Sequence, residues 1–153
     1  MMNKCLREIR RDFNTVIEAF QRLEQLGACG SGYATDVALV LLPLNERLRV
    51  LMGELDPFAD MQAEHVRKNR DGTIPPTEHK GISCIRRSVE LGLEAMEGIH
   101  GLASIIGAET DAPAKHASWA MVAAIFQLER AMNDLDSFID REGERYGPNL
   151  VSV

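Results

Sequence analysis

A carboxylate and an imidazole three residues apart, Glu97 and His100, form the one Glu-x-x-His of this chain. On a helix that spacing puts both groups on one face, and it is the unit from which helical bundles build two-metal centres. Such centres need a second Glu-x-x-His and two further carboxylates projecting inward from the other helices, and no second copy exists here. Counted from the apolar seam of its helix, His100 flanks the seam and Glu97 points farther out. The pair reads first as a boundary histidine beside a surface carboxylate. A metal- or small-ligand-binding bundle using Glu97 and His100 is the alternative it keeps open. No metal ligands are assigned and no cofactor is expected.

His100-Gly101-Leu102 also invites comparison with histidine-phosphotransfer domains, which carry an exposed histidine on a helical bundle. Those domains place a lysine and then a glycine shortly after the histidine, and this chain has Ala103 and Ser104 there. No P-loop, no Gly-x-Gly-x-x-Gly after a strand and no Gly-x-Ser-x-Gly elbow is present. Gly30-Ser31-Gly32 follows a helix, so it is expected to be a structural loop. Cys29 beside it has no base with a specific claim on it. No catalytic residue is expected, and the chain reads as non-enzymatic.

Hydrophobic residues make up 45% and charged residues 26% of the 153, as in an ordinary globular domain, whereas aromatics are only 5%. An aliphatic helical core suits that balance better than a β-sandwich. The formal net charge of -6 disfavours direct binding to nucleic acid or anionic lipid. Cys5, Cys29 and Cys84 are odd in number and lack CxxC spacing, which points to reduced thiols and a cytoplasmic location. Lys4, Arg7, Arg10 and Arg11 lead straight into an amphipathic pattern rather than an apolar signal-peptide core. The longest apolar run, from Val37 to Leu44 across Pro43, is far short of the roughly 20 residues a bilayer span needs, so no membrane association is expected.

Those side chains must sit on helices. Leu6, Ile9, Phe13, Val16, Phe20 and Leu23 recur at alternating three- and four-residue steps, predicting a helix from about Asn3 to Leu26 that Gly27 and then Gly30-Ser31-Gly32 end. Val37, Leu41, Leu44, Leu48, Leu51 and Leu55 predict a second, kinked at Pro43. Asp56-Pro57 is a helix-start pair opening a short helix to about Lys68. A turn at Asn69 to Gly72 and a stiff Pro75-Pro76 follow. Ile82 to Ile106 carries the next seam, ended by Gly107-Ala108. Met121, Ile125, Leu128, Met132, Leu135 and Ile139 carry the last, ending by about Gly143.

Two of these stretches repeat. Lys4 to Phe20 superposes on Lys80 to Met96, matching Ile9-Arg10-Arg11 to Ile85-Arg86-Arg87 and Glu18-Ala19 to Glu94-Ala95. The second helix is expected to follow suit, with Val37 to Leu55 falling on Met121 to Ile139. Two such hairpins cannot bury their apolar faces alone and should pack into an all-α, antiparallel four-helix bundle of duplicated hairpins with a short connector helix. The expected organisation is one domain over 1–145, with hairpin 3–56, connector 57–78 and hairpin 79–142, followed by a flexible tail at 146–153.

Three surfaces are candidates for contact with a protein partner or a second copy of the chain. Arg10, Arg11, Arg86 and Arg87 fall at equivalent places in the two halves. Solvated charges paired with Glu129, Asp12, Glu90 or other carboxylates are their plain reading, and contact with an acidic partner is the functional one. Trp119, Val122 and Phe126 make a second apolar stripe on the last helix. Either the connector covers it through Phe58, Met61, Val66 and Ile74, which is the expectation, or it awaits a partner or a homodimer. Asp134, Asp136, Asp140, Glu142 and Glu144 form an acidic ridge. Such a ridge suits a phage- or plasmid-type inhibitor that engages the basic groove of a nucleic-acid-handling complex. The leading functional reading is a protein–protein interaction module, a regulator or inhibitor acting through its surface.

Overall fold

The structure, a computed structural model, describes residues 5–29, 32–68, 81–110 and 112–141. Every element among them is helical: α1 (Leu6–Cys29), α2 (Ala34–Glu54), α3 (Asp56–Lys68), α4 (Ile82–Thr110) and α5 (Ala114–Arg141). The match of Lys4 to Lys80, Gly30-Ser31, the turn at Asn69 to Gly72, Pro75-Pro76, Ile74, Glu142, Glu144 and the tail at 146–153 lie outside the described residues. Among those described, no helix is long and apolar enough to cross a membrane.

The four long helices form an antiparallel ring in the order α1, α2, α4, α5, and the core runs along its axis. α1 buries Leu6, Ile9, Phe13, Val16, Ile17, Phe20 and Leu23, and α4 buries Ile82, Ile85, Val89, Leu93 and Met96. The most extensive contacts join one hairpin to the other, α1 along α5 and α2 along α4. Neither hairpin therefore closes a core by itself.

Position by position the hairpins correspond. Leu6, Ile9, Phe13, Ile17 and Phe20 are buried where Ile82, Ile85, Val89, Leu93 and Met96 are. Ala34, Leu41, Leu48, Met52 and Leu55 match Ala114, Met121, Leu128, Met132 and Leu135. The loops pair as a short antiparallel bridge between Tyr33 and Pro113. There the Ala34 N–H donates to Ala112 O at 2.7 Å and the Ala114 N–H to Gly32 O at 3.0 Å. That reciprocity is the signature of an approximate twofold. Polar contacts obey it too. Arg10 grips Asp136 with two bonds, 2.8 Å and 3.1 Å, and Arg86 grips Asp56. Gln21 donates to Glu129 where Arg49 pairs with Glu97.

This equivalence corrects the expected register of the second helices. Val37 corresponds to Ala117 and Leu41 to Met121, so the true alignment lies one helical turn from the one that sets Val37 on Met121. A seam of apolar residues repeats nearly every turn, and the sequence pattern alone does not distinguish the two registers. The extra turn is taken up in α4, which has 29 residues against the 24 of α1. Of the glycines expected to end these helices, Gly27 lies inside α1, which ends at Cys29 directly before Gly30, and Gly107 lies inside α4. Gly27 is buried where α1 crosses α5; a Cβ there would stand 1.9 Å from Ser118 Oγ.

α2 runs unbroken through Pro43, which lies on its exposed side. Pro57 is the effective break: it has no N–H to donate and its ring crowds the carbonyl of Gly53, so the path that α5 follows as one helix is divided into α2 and α3. Phe58, in the first turn of α3, is buried where Phe138 is buried in α5. α3 then packs on α4 and α2, and its Gln62 accepts the Ile82 N–H at 2.7 Å, capping α4 from outside.

Gly92 stands where α1 has Val16, and it lets α4 approach α5 closely: a Cβ would sit 2.6 Å from Leu128 Cδ2 and 2.9 Å from its Cγ. Gly98, in the same helix, meets nothing within 4 Å. Gly92→Ala should therefore lower the urea midpoint, because overpacking costs of about 1–3 kcal/mol outweigh a helix-propensity gain of roughly 1 kcal/mol. Gly98→Ala should raise it by the propensity gain alone, with unchanged m-values in both.

Candidate functional site

The stripe on α5 is uncovered. Trp119 is 60% exposed, Val122 40% and Phe126 61%. The expected cover is absent among the described residues: α3 lies on the α4 and α2 side of the bundle, Phe58 turns into the core, and Met61 is itself 42% exposed. The Val66 side chain and Ile74 lie outside the described residues. At the equivalent place on α2 stand Leu39, Leu42 and Glu46, so both halves leave apolar groups outside, and only α5 carries the two large rings. His116 stacks obliquely on Trp119 with ring centroids 5.6 Å apart, and Lys115 Nζ lies 5.7 Å from the Trp119 ring. The tryptophan is thus steadied by two basic side chains of its own helix turn while its face stays open to solvent.

Beside this stripe a groove of about 210 Å³ opens between α4 and α5, lined by Ile99, Leu102, Ile106, Ala117 and Ala120 among others. The other half has a counterpart between α1 and α2, a groove of about 400 Å³ where Leu23, Leu26 and Val40 stand at the places of Ile99, Leu102 and Ala120. Leu102, Ile105 and Ile106, all exposed, extend the apolar surface along the end of α4.

The arginine pairs are largely spoken for within the chain. Arg10 pairs with Asp136, Arg86 with Asp56 and Glu90, and Arg87 with Glu90 and Glu94. Arg11 is exposed. Arg10 and Arg86 fasten one hairpin to the other at equivalent sites. The acidic ridge loses a member by the same contact, because the Asp136 carboxylate accepts both bonds from Arg10. Asp140 is exposed, and Glu142 and Glu144 lie outside the described residues.

Glu97 and His100 are both half-buried and face α2, not the core. Glu97 pairs with Arg49, and together with Leu42, Asn45, Glu46 and His100 they line a cleft of about 300 Å³. Among the described residues no three His, Cys, Asp or Glu side chains lie close enough to hold a metal ion. The sequence reading missed Asn45, which is buried and whose amide oxygen has no hydrogen-bond donor among the described residues. With the helices set one turn away, Asn45 does not fall opposite its true counterpart, the buried Ile125. In the correct register the substitution of a buried amide for an isoleucine is plain. Ser118, wholly buried with a hydroxyl that has no partner among the described residues, was overlooked for the same reason; its counterpart is Ala38.

Fold and surface together define a class: an antiparallel bundle of two corresponding helical hairpins with an uncovered aromatic face on its last helix. Comparison with protein-family models, with curated proteins and with solved structures finds no match to this chain.

Trp119 is the only tryptophan, so tryptophan fluorescence, excited apart from the tyrosines, reports on this face alone. The emission of the isolated chain should be red-shifted and readily quenched by acrylamide, as for an indole open to water. A blue-shifted, protected signal in dilute monomer would mean that another segment covers the stripe.

Proposed function

We propose that this chain is a non-enzymatic protein–protein interaction module, a regulator or inhibitor that works through the exposed face of α5, with Trp119, Val122 and Phe126 as its anchors. The observation that carries this reading is the placement of two large aromatic side chains, each about 60% exposed, on a helix whose opposite side is well buried. A helix needs only one apolar side to hold its place in a bundle, so the second serves something other than folding. Aromatic side chains dominate binding energy at protein interfaces when they are desolvated, because each brings a large rigid area at little entropic cost. A partner helix lying across this face would bury Trp119 and Phe126, and the adjoining groove would receive one of its aliphatic side chains. A second copy of the chain is the simplest partner of this kind.

The acidic-ridge reading is the weaker one. Asp136 is already held by Arg10, which removes one member of the ridge from the set free to meet a partner.

Trp119→Ala combined with Phe126→Ala tests the proposal. Both side chains are exposed, so the stability of the monomer should change by no more than about 0.5 kcal/mol per site. Self-association measured by light scattering, and retention of any partner that binds the wild-type chain, should be lost. A variant that binds and associates as the wild type does would overturn the reading. Phe138→Ala is the control for a buried aromatic, with an expected loss of about 3–5 kcal/mol.

A further inference from the structure

We infer that the exposed face of α5 takes the outer face of α2 of a second copy, so that the chain assembles head to tail. The inference rests on the reading of α5 as a contact face and names what lies on it. The first observation is α2 itself, which is apolar on its outer side as well as its buried one. Leu39, Leu42, Pro43 and Val50 all stand outside, Leu39 at 74% exposure. A helix in a bundle needs one apolar side, and a second belongs to a helix that is covered on both. Beside this ridge lies the groove between α1 and α2, lined by Leu23, Leu26, Val40 and Leu44 among others. Each half thus shows an apolar ridge next to a groove, at places that the internal twofold relates.

Charge decides how the faces meet. The α5 ridge has a cation at each end, Lys115 before Trp119 and Arg130 after Phe126, both exposed. The α2 ridge carries anions, Asp36 before Leu39 and Glu46 between Pro43 and Val50, also exposed. Neither Arg130 nor Glu46 has an ion-pair partner among the described residues. The arginines of α2 are turned aside, Arg47 to Asp12 on α1 and Arg49 to Glu97 on α4. On α5, Gln21 of α1 holds Glu129. An antiparallel pairing of α5 with α5 would set Lys115 against Arg130 of the second copy, and a parallel one would set each cation against itself. Like charges facing across a contact oppose it. Laid antiparallel on α2, with Phe126 over Leu39, α5 brings Arg130 beside Asp36 and Trp119 beside Glu46, with Lys115 one turn beyond. The indole N–H then has a carboxylate to donate to. α2 and α5 stand diagonally in the ring. Their outer faces therefore look in opposite directions, and each copy keeps one face free for the next.

Sedimentation velocity on the full chain and its variants tests the arrangement. Leu39→Lys with Glu46→Lys closes the α2 face, and Trp119→Ala with Phe126→Ala closes the α5 face. All four positions are exposed, so both variants should keep the fold and nearly the same thermal midpoint. The average mass of the wild type should climb past that of two chains as concentration rises, while each variant alone stays a monomer. Mixed in equal amounts, the variants supply the face the other lacks and should form a complex that stops at two chains. Arg130→Glu should weaken assembly at least about tenfold, because the new carboxylate meets Asp36; in a contact between two α5 helices it would meet Lys115 and tighten the pair. The inference is overturned if the wild type stays monomeric at millimolar concentration, if the α2 variant associates as the wild type does, if the mixture stays monomeric, or if Arg130→Glu tightens assembly. None of these touches the α5 face as a surface for another partner. Wild-type association by the α5 variant overturns both readings.

Discussion

Burial of one hairpin's apolar face by the other is the constraint on which the molecule rests. α1 lies along α5 and α2 along α4, and the largest fully buried side chains, Phe13, Phe20 and Phe138, come from both halves. At roughly 1.5–3 kcal/mol for each large apolar side chain taken from water, these contacts dominate the favourable side of folding. A hairpin alone would leave its face in solvent and have little left to set against its chain entropy. The twofold correspondence follows. Two like faces meeting each other reproduce each contact twice, so Arg10 finds Asp136 where Arg86 finds Asp56, and the two loops exchange hydrogen bonds reciprocally.

Much of this was legible in the chain. Leucine and isoleucine at alternating three- and four-residue steps marked all four long helices, and Asp56-Pro57 marked the start of α3. The shared Ile-Arg-Arg placed α1 on α4 in the register the structure adopts. What the pattern could not supply was the register of α2 on α5. A seam shifted by a turn still sets leucine against leucine, and only the paired loops and the Arg10 and Arg86 contacts break that degeneracy. Helix ends were misplaced for a related reason. Gly27 is not a stop but a point of close approach to Ser118, a relation between residues far apart in sequence that local propensity does not contain.

The uncovered stripe was visible as a pattern, but its fate was not. Whether α3 covers Trp119 depends on which way the chain turns after Leu55, and Gln62 binding the start of α4 settles that direction. The two candidate surfaces share one origin. Where the halves agree, their residues are those the bundle needs. Where they differ, at Leu39 and Trp119, Glu46 and Phe126, Val40 and Ala120, or Asn45 and Ile125, the same backbone environment holds either residue. At the exposed positions packing does not choose between them, whereas at the buried pair it favours isoleucine over an amide whose oxygen has no partner among the described residues. The α5 side took aromatic rings, and the α2 side took an amide and a carboxylate.

Native-state hydrogen exchange, resolved by residue, tests the central claim that each hairpin depends on the other. If it does, the core amides of α1, α2, α4 and α5, with those of Ala34 and Ala114 in the paired loops, exchange at one common free energy equal to that of global unfolding. Opening of one hairpin at a distinctly lower free energy, with the other still protected, would contradict it.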